Sequence, residues 1–411
     1  MPSIPALPRK NDPNAFNFNP NRNLGMKHLN VLVDIAGFKN RGDQLMLEAC
    51  VDQTRVHLPG ATIAVPEHAW RDGASWCLQR NILPFSGLAT GVKAKTKKAV
   101  KRIAERFLAR SPVRLHPDQI DLVLVSPGFR YGDSFASFFS ATASQNEIRK
   151  YHSFRKRGSR IVFLPQAFGP FREQAVRDLA QTILPLASLV YAREETSRRF
   201  LAEIMPDANN IRICPDFTCL CRPNSGVVRF QTGSYAVIVP NARMMDKTAP
   251  SVASAYPMFL EAVCSAIFEK GIPVVLLNHE GPADEEILWE LNAKFGNRFP
   301  VLSGLSGVDC KDVIGRSKIV ISSRYHGVVS GLTQGVPTLC TSWSHKYEQL
   351  LAEHGRPGNA LNVRSIPESV AKVLHALDHR DDYASAPGCN DRISKQVLDM
   401  WDDVFKTMNP S

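Results

Sequence analysis

Short apolar runs alternate with longer amphipathic stretches along most of this chain. The runs at 30–36, 61–65, 121–126, 159–165, 189–192 and 211–215 are rich in Val, Ile and Leu. Runs of that length and composition predict buried strands of a parallel sheet. A second series follows at 235–240, 272–277, 301, 319–321 and 338–342. Apolar positions at helical spacing predict helices over 45–56, 254–270, 308–314, 327–334 and 391–408. Strand–helix alternation in both halves predicts an α/β protein with two Rossmann-like parallel-sheet domains. Pro, Asn, Ser and Gly cluster at 222–233, which marks a linker. The expected units are an irregular arm over 1–28, a first domain over 29–225, a second over 234–388 and a terminal helix over 389–411.

Ligands of open parallel sheets bind beyond the carboxyl ends of the strands. Arg324 and His326 fall where the strand 319–321 gives way to a helix, and Lys346 follows the next strand. A helix start favours anions, and Arg adds a fork of donors suited to carboxylate or phosphate. Arg193 sits at the matching junction in the first half, and His279 follows the strand 272–277. Arg193 has a plainer alternative, a salt bridge to Glu194 or Asp216. For His279 a loop histidine without chemistry is the alternative.

Composition narrows the chemistry. The net charge is +11 over 411 residues, which suits anionic partners. No nucleic-acid-binding signature accompanies it, so no nucleic acid is expected. Nine cysteines without framework spacing point to a reducing cytoplasm. Cys214, Cys219 and Cys221 lack the paired knuckles of a zinc site, so no metal is expected. No run approaches the ~18 apolar residues of a membrane span. Residues 92–110 form a strongly basic amphipathic stretch. It suits an anionic membrane surface, giving peripheral contact at the inner face, or equally a solvated surface helix.

Four motifs bring a resemblance. Ser323-Arg-Tyr-His-Gly327, Gln334-Gly-Val-Pro337 and Ser344-His-Lys-Tyr347 lie close together, and Asn40-Arg-Gly-Asp43 opens the first half. Together they resemble the polysaccharide pyruvyl transferase family. Leu164-Pro-Gln-Ala-Phe-Gly-Pro-Phe171 and the Pro215-Asp216 pair resemble further family elements. The loop 127–133 keeps only Gly128, Gly132 and Asp133 of the family's glycine-rich turn.

The resemblance implies a GT-B-like fold, two domains facing across a cleft, the first on the acceptor side and the second on the donor side. It also implies transfer of pyruvate from phosphoenolpyruvate to hydroxyls of a polysaccharide or lipid-linked glycan, usually as a ketal, with no other cofactor. Arg193, Arg324 and Lys346 would hold the donor, with Asn40, Arg243 and His279 lining the cleft. His326 would be the general acid and Asp43 the base for the acceptor hydroxyl. Asp216 is expected to anchor Arg193. Two other readings stay open: a glycosyltransferase of the same architecture using a nucleotide sugar, and a non-catalytic scaffold that binds glycan or membrane.

Overall fold

The computed structural model describes residues 28–86, 114–223, 226, 230–344, 346–406 and 408. The basic stretch 92–110, His345 and nearly all of the arm 1–28 lie outside them.

Among the described residues, seven strands form the first sheet. They are β1 (Asn30–Asp34), β2 (Thr62–Pro66), β3 (Leu83–Phe85), β4 (Leu122–Val125), β5 (Arg160–Gln166), β6 (Leu189–Ala192) and β7 (Ile211–Ile213). Five more form the second: β8 (Ala236–Val239), β9 (Val274–Leu277), β10 (Val301–Leu302), β11 (Ile319–Ser322) and β12 (Thr338–Cys340). The orders are β3-β2-β1-β4-β5-β6-β7 and β10-β9-β8-β11-β12. Every pairing is parallel. Strand β3 is the one that apolar patterning misses. It is three residues long, carries Pro84 and lies at the sheet edge, where proline is tolerated.

Alternation along β1 shows why both faces must be covered. Val31 and Val33 enter one apolar core and Leu32 the other, as a period of two requires. All four residues of β4 are fully buried. Helix Pro250–Glu269 is long and apolar enough to cross a membrane by composition alone. Here its Tyr256, Phe259, Leu260 and Val263 lie in the core of the second sheet.

All five expected helices begin earlier than apolar spacing predicts, and two of those starts bear on the site. Helix Arg41–His57 starts directly after Asn40, whose Oδ1 accepts from the Gly42 backbone N–H at 2.8 Å. This N-cap fixes the start at a polar turn that carries no apolar signal. Helix Tyr325–Thr333 starts immediately after Arg324, so His326 stands in its first turn.

The domains interlock around the start of helix Arg41–His57. The Arg41 amide donates to the His279 carbonyl at 3.1 Å. Gln44 Oε1 accepts from the Gly307 amide at 2.8 Å. Buried Lys311 of the second domain donates to the Thr218 carbonyl of the first at 2.7 Å. The terminal helix, Cys389–Lys406, returns to the first domain. Its Val397, Met400, Trp401, Val404 and Phe405 join the core beneath helix Arg41–His57. Trp401 meets Phe217 edge-on, with ring centroids 5.6 Å apart.

Candidate active site

In each sheet the chain order reverses between two neighbouring strands, β1/β4 in the first and β8/β11 in the second. Crevices at such reversals are where ligands bind in this class of sheet. The two crevices face one another across a cavity of about 1220 Å³. Its lining includes the eight residues expected to bind substrate or act on it: Asn40, Asp43, Arg193, Arg243, His279, Arg324, His326 and Lys346.

Asp216 ties the two walls together. Its Oδ2 lies 3.2 Å from Arg193 Nη1, within the first domain, and 3.3 Å from His326 Nε2, across the interface. Oδ1 accepts from the Thr218 amide at 3.0 Å and from the Thr218 hydroxyl at 2.5 Å. Burial alone would raise its pKa, but His326 and Arg193 together hold the carboxyl well below its ordinary value. The anchor expected for Arg193 is therefore present, and it engages His326 as well. The imidazole is confined on its other side by Gly42. A Cβ at that position would lie 2.0 Å from His326 Nδ1. Glycine in the Asn-x-Gly-Asp element is thus required by a close approach between domains.

Arg193 is 3 % exposed, and its guanidinium lies 4.0 Å from the centroid of the Tyr325 ring. Its Nε and Nη2 are buried without a hydrogen-bond partner among the described residues. Buried unsatisfied donors are costly and mark places where a ligand completes the structure. Lys346 is also buried, with Nζ 4.4 Å from the Trp343 ring centroid, 5.1 Å from Phe129, 5.5 Å from Tyr325 and 5.8 Å from Tyr347. Burial, reinforced by Arg193 and Arg324, pushes its pKa well below the ordinary lysine value. No carboxylate lies within ion-pair distance of it among the described residues.

Arg324 stands differently from the free anion clamp expected of it. Nε and Nη2 engage both oxygens of Asp284, at 2.7 and 2.5 Å, and Nη1 contacts Glu280. Its donors are already occupied, because the loop and helix after β9 bring two acids to the same edge. Arg243 is half-buried and pairs with Asp246. Asn40 spends its side-chain oxygen on the helix cap. His279 is 1 % exposed with Nε2 unpartnered among the described residues. Burial, then His326, Arg324 and Arg41, hold its pKa well below normal, so it is a neutral ring. Asp43 has no ion pair among the described residues, and burial pushes its carboxyl up to about 7.

A second polar group at the first-domain end carried no sequence motif. Asp34, the last residue of β1, accepts from Lys150 Nζ at 2.8 Å and from the Tyr151 hydroxyl at 3.3 Å. Glu147 lies 3.1 Å from Arg130 Nη2 and 3.0 Å from Lys150 Nζ. The signal available in the sequence was Asp34 itself, a carboxylate ending an apolar strand. Among the described residues no group of His, Cys, Asp and Glu has the arrangement of a metal site.

The family model for polysaccharide pyruvyl transferases matches residues 40–345, from the Asn40 cap to the turn before Lys346. The chain belongs to the polysaccharide pyruvyl transferase family. It is an enzyme of that type and acts in polysaccharide biosynthesis. A pyruvyl transferase of this kind has a glycan acceptor. The chain is 18% identical over 389 residues to the amylovoran biosynthesis protein AmsJ of Erwinia amylovora, covering 84% of this chain and 90% of that one. Solved structures share its fold. The UDP-GlcNAc 2-epimerase of Neisseria meningitidis superposes with a TM-score of 0.58 at 13% identity, covering 92% of this chain and all of that one. Anabaena Alr3699/HepE, solved with UDP and glucose, gives 0.56 at 13% identity, covering 93% and 99%. This pyruvyl transferase therefore has the two-domain GT-B architecture.

Proposed function

We propose that this pyruvyl transferase takes pyruvate from phosphoenolpyruvate and attaches it to glycan hydroxyls as a ketal. One observation supports the reading most: Arg193, through Nε and Nη2, and Lys346 line a common cavity, and among the described residues no acid pairs with those donors. A small molecule bearing both carboxylate and phosphate answers that need. Both groups are desolvated, so each charge-assisted contact is stronger than it would be in water. Arg324, held by Asp284, becomes a third donor when Glu280 releases its Nη1. His279, neutral and buried, adds no charge but shapes the wall.

In the proposed course the enol methylene carbon takes a proton and an acceptor oxygen bonds to the adjacent carbon. The carbon–oxygen bond to phosphate then breaks, and a second hydroxyl closes the ketal. Of the two hydroxyl protons lost, one is matched by the new methyl hydrogen and the other leaves with phosphate. Asp43, titrating near neutrality, accepts the hydroxyl proton. His326, oriented by Asp216, gives the proton to the methylene carbon or to departing phosphate. Arg193 and Lys346 neutralise the charge that phosphate gathers as it leaves.

Thermal shift with phosphoenolpyruvate against UDP- and GDP-sugars tests the donor. Stabilisation by phosphoenolpyruvate alone is expected. Stabilisation by a nucleotide sugar alone would turn the assignment to a glycosyltransferase. Phosphate release with candidate glycans, and a product whose NMR spectrum shows the methyl group of a ketal rather than the vinylic methylene of an enol ether of equal mass, tests the transfer.

A further inference from the structure

The donor groups make up only part of the cavity lining. Phosphoenolpyruvate is small, and pockets of about 300–1,000 Å³ already serve drug-sized ligands. At about 1220 Å³ this cavity has room for considerably more than the donor and one sugar ring. The first-domain part of that lining carries two further features.

Its floor is the network of Asp34, Arg130, Glu147 and Lys150. The two acids match the two bases charge for charge, and all four line the cavity. Lys150 and Arg130 remain partly exposed, with side-chain accessibilities of 25% and 31%. Their remaining N–H groups are available to hydroxyls. The network offers no surplus cation to draw an anionic sugar. Asp34 is held below the ordinary carboxylate range: burial would raise it, but Lys150 and Arg130 outweigh burial. It is therefore an acceptor of hydrogen bonds and not a base.

Its rim is aromatic. Phe129, Phe135 and Phe138 stand in sequence, with ring centroids 5.4 and 6.1 Å apart, and all three line the cavity. The turn Asp133–Phe138 that carries the last two is fixed at its start. Asp133 accepts from the Arg172 amide at 2.9 Å and the Glu173 amide at 3.4 Å. Phe138 is 71% exposed, a large ring left in water at the mouth of a polar cavity. An exposed apolar patch rimmed by polar groups marks a binding surface. The C–H faces of sugar rings suit aromatic faces, while their hydroxyls suit the network beneath. Phe129 also faces Lys346, so the aromatic row begins at the donor end.

We infer that the glycan taken on this acceptor side is an uncharged segment longer than one sugar. The reactive sugar lies over the Asp34–Arg130–Glu147–Lys150 floor, and the next stacks on Phe135 and Phe138. The inference rests on the proposed transfer to a glycan.

Saturation-transfer NMR on the full chain tests it, with methyl glucoside, methyl galactoside, lactose, cellobiose, maltotriose and digalacturonate as probes. At least one neutral oligosaccharide is expected to bind more tightly than either methyl glycoside and than digalacturonate. Phe138→Ala should weaken that binding about fivefold, as loss of one ring contact implies, and Phe138→Trp should restore it. The melting shift given by phosphoenolpyruvate should be the same in all three proteins. Oligosaccharides binding no better than methyl glycosides, or equally well to Phe138→Ala, would overturn the subsite. Oligosaccharide binding without any phosphoenolpyruvate shift would overturn the donor assignment and leave the subsite standing.

Discussion

Replacing Gly42 with alanine puts a methyl carbon 2.0 Å from His326 Nδ1 and 2.7 Å from two ring carbons. Ordinary contact begins near 3.4 Å, so the ring must retreat by about 1.4 Å. Asp216 stands 3.3 Å from its Nε2, so the ring cannot simply back away from the new methyl and must rotate, which disrupts that contact. The ring can swing away more easily than backbone can, so the stability loss falls within the range for overpacking, about 1–3 kcal/mol. For domains of this size each kcal/mol lowers Tm by about 2–4 °C. Catalysis should suffer more, by about 100-fold in kcat, because a misplaced acid loses its hydrogen-bond geometry. The assay is a double-mutant cycle read by melting and by phosphate release. If the methyl acts through the imidazole, Gly42→Ala should cost almost no stability in a His326→Ala background. An equal cost in both backgrounds, or full activity in Gly42→Ala alone, would refute the reasoning.

The other predictions concern charge. Asp216→Asn leaves Arg193 buried without its counter-ion and should destabilise the protein by about 3–5 kcal/mol at pH 7, measured by urea unfolding. Because the Asp216 carboxyl is depressed on folding, its contribution is present above the ordinary value of 3.8 and is lost as pH falls towards the folded value; the gap between wild type and Asp216→Asn should therefore narrow in acid. Asp43 behaves oppositely. Its folded value near 7 lies above 3.8, so stability falls as pH rises through that window, and Asp43→Asn should raise Tm at pH 8 relative to wild type while removing the rise of kcat/KM centred near pH 7. Glu280→Gln should free Arg324 and lower KM for phosphoenolpyruvate by about three- to tenfold, whereas Arg193→Ala should raise it by at least about 100-fold; both are read from initial rates.

The two sheets were legible because parallel strands are buried on both faces and so appear as unbroken apolar runs. Strand β3, with its central proline, offered no such run. The junction residues Arg193, Arg324 and His326 were found because a cation at a strand's carboxyl end needs no partner to be noticed. What their neighbours do to them was not visible. Asp284 is close to 40 positions from Arg324, and only the crossing from β9 to β11 brings the two into contact. Asp216 looked like an anchor for one arginine, and its reach to His326 exists only when the domains meet. The Asp34 network failed to register because its members come from a strand end, a loop and a helix, each ordinary alone. The aromatic row at 129–138 has a simple origin in sequence, yet apolar residues there suggest a core until their exposure is known.

The chain passes between domains twice, once through 222–233 and again before the terminal helix that seats Trp401 in the first domain. Two covalent crossings define a line, as two pins define a hinge. Rotation of one domain on the other is restrained by both crossings and by the contacts between domains, Lys311 to the Thr218 carbonyl and His326 to Asp216.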